Sequence, residues 1–246
     1  MTRPALKLVV FDLDGTLVDA YGPVVRSLRF ALARGGFPAP STAVIKRSVG
    51  WGDRLLIEKF VGEENRERVL VLYRRHHAGA LRHGLKFLPG ALRILNALRR
   101  RGLHLAVASN RPRKYSLIIL KELKIFHYFD SILCGDELKR PKPYPDILRQ
   151  TLRRLKVKSS EALYVGDMIL DVTTGRRAGV RTVAVATGSC TRQELVRGRP
   201  FKVIRHLKQL KVIIKEKGEN MSKKKRRGKL NWRSKKANHG RKPTRG

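Results

Sequence analysis

The sequence predicts an α/β protein: a doubly wound parallel sheet, an α-helical cap inserted after the first strand, and a basic, disordered C-terminal tail. Three observations carry that reading. Short continuous apolar runs alternate with stretches of helical spacing. The interval 18–86 has helical spacing and no convincing strand. After Gly218 the composition turns abruptly basic. Apolar strands without a polar alternate are what a parallel sheet covered on both faces requires.

The elements follow in order. Strands are predicted over Leu6–Phe11, Leu103–Ala108, Ser131–Cys134, Ala162–Val165 and Thr182–Ala186. Helices are predicted over 90–101, 112–124, 144–156, 168–178 and 206–216, where apolar residues recur every three or four positions. Within 18–86, Val24, Val25, Leu28, Ala31 and Leu32 share one helical face, and Val69, Leu72 and Tyr73 share another. Gly35-Gly36, Pro38 and Pro40 break the first of these from the next. Roughly four helices are expected there. The expected division is a core of 1–17 and 87–217, a cap of 18–86 and a tail of 218–246.

Composition bounds the function. The 246 residues carry 56 Lys+Arg against 19 Asp+Glu, a formal charge of +37. Residues 220–246 hold 12 of the basic residues and no acidic one, and the remaining 219 still carry +25. Such a field favours anionic partners. The tail has too few apolar residues to offset the entropy of ordering, so it is expected to be disordered and to contact RNA or the ribosome non-specifically. Cys134 and Cys190 show no metal or redox spacing. The first apolar run ends at Asp12, too short for a signal segment, and no stretch reaches a membrane span. A cytoplasmic protein without membrane contact is expected.

Four polar clusters each follow their own strand. They are Asp12 and Asp14, then Ser109-Asn110, then Lys142 in a proline-rich turn, then Asp167 and Asp171. In a parallel sheet these strand ends share one edge, so the clusters are expected to converge. Several carboxylates with no nearby histidine or cysteine suit Mg²⁺ rather than zinc. A lysine, a hydroxyl and turn amides suit phosphate oxygens. An aspartate beside them can attack phosphorus and pass through an aspartyl-phosphate, with a second acid moving protons.

The segments "DLDGTLVD", "ASN", "KPYPD" and "GDMILD" resemble, in order, the four motifs of the haloacid dehalogenase-like hydrolases. The segment 18–86 resembles the helical cap of their phosphoglycolate phosphatase and β-phosphoglucomutase branch. The resemblance covers roughly 5–215. It implies a Rossmann-like core and a role for each matching residue. Asp12 is implied as nucleophile. Asp14 is implied as general acid/base, with its carbonyl on the metal. Ser109 and the amides of Leu13 and Asn110 would hold phosphoryl oxygens. Lys142 would balance charge. Asp12, Asp14, Asp167 and Asp171 would form the metal site, with Gly15, Thr16 and Gly166 shaping the turns. An acid at position 14 argues against dehalogenation.

The expected activity is Mg²⁺-dependent hydrolysis of a small phosphorylated metabolite, with phosphoglycolate the default by resemblance. Alternatives on the same site are a sugar phosphomutase and a pyrophosphatase. An alternative of another class is a nucleic-acid-associated protein using the tail. Arg47 and Arg54, beside Trp51 in a glycine-containing turn, are expected to contact a substrate anion. His76 and His77 are expected to be solvated or half-packed.

Overall fold

The computed structural model describes residues 4–215. The chain runs β1 (Leu8–Phe11), β2 (Val18–Asp19), α1 (Tyr21–Gly35), α2 (Thr42–Ser48), α3 (Asp53–Ala80), β3 (Lys86–Phe87) and α4 (Ala91–Arg99). It continues through β4 (His104–Ser109), α5 (Arg113–Glu122), β5 (Ser131–Cys134), α6 (Asp146–Leu155), β6 (Ala162–Gly166) and α7 (Ile169–Ala178). It closes with β7 (Arg181–Val185), α8 (Arg192–Arg197), β8 (Lys202–Ile204) and α9 (Leu210–Lys215).

Six strands form one parallel sheet in the order β5-β4-β1-β6-β7-β8. β1 sits at its centre, and all four of its residues are buried. Alternate side chains of a strand point to opposite faces, so both faces of the sheet are covered. Leu8 and Val10 pack with Ile147, Leu148 and Leu152 of α6 in one core cluster. α4 packs on β4 with its apolar stripe of Ala91, Ile94, Leu95 and Leu98 buried. The expected α/β class is what the chain forms, and two short elements are additions to it. β8 has the sequence Lys-Val-Ile, and α8 has only six residues. Neither is long enough to show a period.

The helical insertion is α1, α2 and α3, and it has a core of its own. Leu28, Leu32, Ile45, Ile57, Leu70 and Tyr73 are buried together. Each such side chain contributes about 1.5–3 kcal/mol of burial. α3 is broken at Gly62, where φ is 79°. Only glycine adopts that conformation without strain, so three helices read as four helical segments. The expectation of no strand in 18–86 needs correcting. β2 and β3 pair antiparallel where the chain leaves and re-enters the sheet domain. Two residues per strand carry no readable alternation.

Residues up to Gln209 form one compact unit. The helix predicted over 206–216 is a 3₁₀ turn, Leu207–Gln209, followed by α9. Among the described residues no helix is long and apolar enough to cross a membrane. The tail over 218–246, and the RNA or ribosome contact expected of it, lie outside the described residues.

Candidate active site

The C-terminal ends of β1, β4 and β6, with the loop after β5, meet at one rim of the sheet. Asp12 follows β1 directly, its amide donating to the carbonyl of Val165 at 2.8 Å. The chain then turns sharply. The carbonyl of Leu13, a buried residue, accepts from the amides of Leu17 and Val18 at 3.0 Å each. Gly15 adopts φ 73°, and a Cβ there would meet the Asp167 carboxylate at 2.6 Å. The turn therefore needs glycine for its conformation and for the approach of β6.

Lys142 lies at the centre. Its Nζ donates to Asp12 Oδ1 at 2.7 Å, to Asp171 Oδ1 at 2.6 Å and to the Tyr164 hydroxyl at 3.2 Å. Those bonds use all three ammonium donors. The Tyr164 hydroxyl in turn donates to Asp171 Oδ1 at 2.7 Å. Burial pushes against the Lys142 charge, and Asp12 and Asp171 more than reverse it, so the ammonium is held well above the ordinary lysine value. Asn110 fixes the lysine's backbone. Its Oδ1 accepts from the Lys142 amide at 2.9 Å, and its Nδ2 donates to the Lys142 carbonyl at 3.1 Å. The Asn110 side chain is thus engaged as a strut, a role the sequence did not suggest. Ser109 ends β4 and is buried, with its Oγ accepting from the Arg111 amide at 3.2 Å.

Asp167 follows β6. It accepts from the Thr16 hydroxyl at 3.2 Å and from the Ser189 amide at 2.9 Å. Oxygens of Asp12, Asp167 and Asp171, all buried, lie within 4.8 Å of one another. Burial first, then the neighbouring carboxylates, raises the carboxyl pKa of Asp167 well above the usual range. Burial raises that of Asp12 as well, with Lys142 opposing. Three buried carboxylates face one ammonium. Hard oxygen donors with surplus negative charge fit a divalent cation such as Mg²⁺, and they lack the nitrogen and sulfur that zinc sites use.

Asp14 points elsewhere. Its Oδ2 accepts from Arg111 Nε at 2.7 Å and its Oδ1 from Arg111 Nη2 at 2.8 Å. Arg111 Nη1 lies 2.7 Å from His77 Nε2. A guanidinium has no acceptor, so Nε2 accepts and the His77 proton is on Nδ1, which faces Ser27 Oγ at 3.0 Å. Ser27 Oγ donates onward to the Pro23 carbonyl at 2.8 Å. Burial first, then Arg111, drives the His77 pKa down to about 2. His77 is fully buried, stacked on Tyr73 and edge-on to Tyr115. The expectation of a solvated or half-packed His77 is therefore corrected. On α3 it faces the rim of the sheet, where a fixed acceptor is needed for Arg111.

A cavity lies above this rim. Asp12, Asp14, Ser109 and Arg111 form its floor, and Leu56 and Tyr73 stand among its walls. The two arginines expected there are elsewhere. Arg47 is 57% exposed and pairs with Glu194 at 2.7 Å. Arg54 is 52% exposed and pairs with Glu67 at 2.5 Å. Neither lines the cavity. Their turn does reach the site through backbone: the Gly50 carbonyl accepts from Asn110 Nδ2 at 3.3 Å. Arg111 and Tyr164 went unsingled in the sequence. Arg111 directly follows the "ASN" stretch, which was the available signal.

Residues 9–185 match the family model for haloacid dehalogenase-like hydrolases. The chain belongs to this family. This haloacid dehalogenase-like hydrolase is 32% identical over 214 residues to phosphoglycolate phosphatase 1 of Pseudomonas aeruginosa, covering 83% of this chain and 78% of that one. It is 33% identical over 183 residues to phosphoglycolate phosphatase of Aquifex aeolicus, covering 74% and 86%. Its fold matches a crystal structure described as a predicted phosphoglycolate phosphatase from Haemophilus somnus. There the TM-score is 0.77 at 25% identity, over 85% of this chain and 97% of that one.

Proposed function

We propose that this haloacid dehalogenase-like phosphatase hydrolyses a small phosphate monoester, phosphoglycolate first among candidates, through an aspartyl-phosphate on Asp12. The observation that carries the reading is Lys142, buried between Asp12 at 2.7 Å and Asp171 at 2.6 Å. A scaffold has no use for a buried charge cluster that costs several kcal/mol per ion to desolvate. The names of the curated relatives support the choice of substrate.

In this reading the second carboxylate oxygen of Asp12 attacks phosphorus, and the ester P–O bond breaks. Asp14, entering protonated, gives its proton to the leaving alkoxide. It then takes a proton from water, whose oxygen attacks the phosphorus of the phosphoaspartate. The bond to Asp12 breaks, inorganic phosphate leaves, and both aspartates return to their starting state. Ser109 and the amides of Leu13 and Asn110 hold the phosphoryl oxygens. Lys142 opposes the upward push of burial on the Asp12 carboxyl and orients it. Mg²⁺ would be held by Asp12, Asp167 and the Asp14 carbonyl, with Asp171 in support, and would supply positive charge beside the phosphoryl group.

The test is release of inorganic phosphate from 2-phosphoglycolate and p-nitrophenyl phosphate, with Mg²⁺ and with chelator. Expected are Mg²⁺-dependent release, its loss in Asp12→Asn, and an acid-quenched peptide containing Asp12 that carries one phosphoryl group. Release that survives in Asp12→Asn overturns the assignment. Rearranged sugar phosphate in place of free phosphate would indicate a mutase.

A further inference from the structure

The cavity holds a cation that the chemistry above does not use. Among its lining residues Arg111 is the one guanidinium or ammonium, and it is buried. Of the cavity's three carboxylates, Asp12 is held by Lys142 and Asp53 by Arg74 at 2.8 and 3.1 Å, which leaves Asp14 to Arg111. Arg111 grips Asp14 with two parallel bonds, the fork geometry that matches carboxylates and phosphates. The fork is braced from behind by His77, itself fixed through Ser27 to the carbonyl of Pro23. Such bracing keeps the guanidinium in place when its partner changes. Asp14 lies two residues from Asp12, so their Cα atoms are at most about 7 Å apart. A fork that reaches Asp14 is within range of the far end of a short ester bound at Asp12.

We propose that Arg111 is the receptor for a second anionic group on the substrate, and that this group displaces the Asp14 carboxylate from the fork. The ligand class is a short phosphate ester carrying a carboxylate or a second phosphate a few atoms from the phosphoryl group. In its absence the Asp14 carboxylate occupies the fork as an internal stand-in. When the substrate anion takes the fork, the released Asp14 carboxylate takes up a proton from solvent and turns towards the ester oxygen it must protonate. Specificity and readiness for proton transfer then come from one exchange of partners. The inference rests on the phosphatase reading and adds the feature by which substrates are told apart.

The experiment compares kcat/KM for ethyl phosphate, 2-phosphoglycolate and ethylene glycol bisphosphate, with Mg²⁺, in the full-length wild type, Arg111→Gln and Arg111→Lys. Wild type is expected to favour one or both charged esters over ethyl phosphate by about 10-fold or more, and which one separates carboxylate from phosphate recognition. In Arg111→Gln that preference ratio is expected to fall about 10-fold or more, towards unity, whatever becomes of the absolute rates. Arg111→Lys keeps the charge without the fork and is expected to fall between. A ratio that is the same in wild type and variants overturns the proposal, because a merely structural arginine would depress all three esters together. Should Arg111→Gln fail to fold, a wild type without preference for a charged ester overturns it equally. Failure to hydrolyse any ester, p-nitrophenyl phosphate included, overturns the phosphatase reading and this inference with it.

Discussion

Two charge clusters at this rim, one around Lys142 on the sheet side and one that meets α3 through His77 on the helical side, solve the burial of charge differently. On the sheet side, Asp12, Asp167 and Asp171 crowd around Lys142, and acid outnumbers base. Asp12 and Asp167 stand just past the end of a strand, Lys142 in the loop after one and Asp171 in the first turn of α7, and the register of a buried sheet leaves them little freedom. On the helical side, charge is matched one to one. Arg111 pairs with Asp14, and a neutral histidine takes the spare donor. An unbalanced cluster of hard oxygens suits a divalent cation, whereas a balanced pair suits an exchange of partners. The sheet side should therefore respond to metal, and the helical side to substrate charge and to acid.

The contrast can be broken most sharply at Asp12. Asp12→Asn should lower phosphate release by about 10⁴-fold or more while the fold persists, since it removes the proposed nucleophile and leaves its shape. Retained near-wild-type turnover would remove the chemical distinction between the two sides.

Lys142→Met comes next. It leaves Asp12 and Asp171 buried without their shared ammonium, and breaking a buried pair in this way costs about 3–5 kcal/mol. Denaturant unfolding at neutral pH measures it. A loss under about 1 kcal/mol would mean that water or a cation already compensates the acids.

Asp167 tests the surplus directly. It has hydrogen bonds from Thr16 and Ser189, but no ion pair among the described residues. Asp167→Asn should raise the melting midpoint of chelator-treated protein. Wild type should gain about 2.7 kcal/mol from Mg²⁺ at 100 times its dissociation constant, and the variant should gain far less. A variant that still responds fully to Mg²⁺ would place the cation elsewhere.

On the helical side, His77 predicts an acid-sensitive fold. Its ring stays neutral in the folded protein down to about pH 2, whereas in the unfolded chain it takes up a proton near 6.5. The depressed base therefore contributes stability that is present above 6.5 and is lost as pH falls below it. Between pH 7 and 5 wild type should lose about 2 kcal/mol more than His77→Gln. Equal losses would show that the ring is charged or exposed. The groups facing it are Arg111, His76, Tyr73 and Tyr115.

The same contrast explains what could be read before folding. The sheet side was legible because four strand ends each announce a polar cluster, and a parallel sheet forces such ends to one rim. The alternating strands and helices of the core were legible for the same reason, periodicity over four or more residues. The helical side was not. His77 sits in a 28-residue helix beside another histidine, and spacing alone does not say which ring turns inward. Arg111 is one arginine among many in a basic chain. Its importance comes from meeting Asp14, 97 positions earlier in the sequence. The β2–β3 pair and β8 were too short to show a period.

The smallest effect is expected at Arg47 and Arg54, and it is the most useful negative. Both were expected to meet a substrate anion because they flank a glycine-containing turn beside the site. The turn does touch the site, but through the Gly50 carbonyl, and both guanidinium groups face solvent and surface glutamates. Exposed ion pairs of this kind are screened by water and salt. Arg47→Ala and Arg54→Ala, singly or together, should leave the melting midpoint unchanged. They should also leave unchanged the preference among ethyl phosphate, phosphoglycolate and the bisphosphate. A double variant that loses the charged esters selectively would move anion recognition from Arg111 to the outer turn, and the buried fork would then be a structural clasp on Asp14.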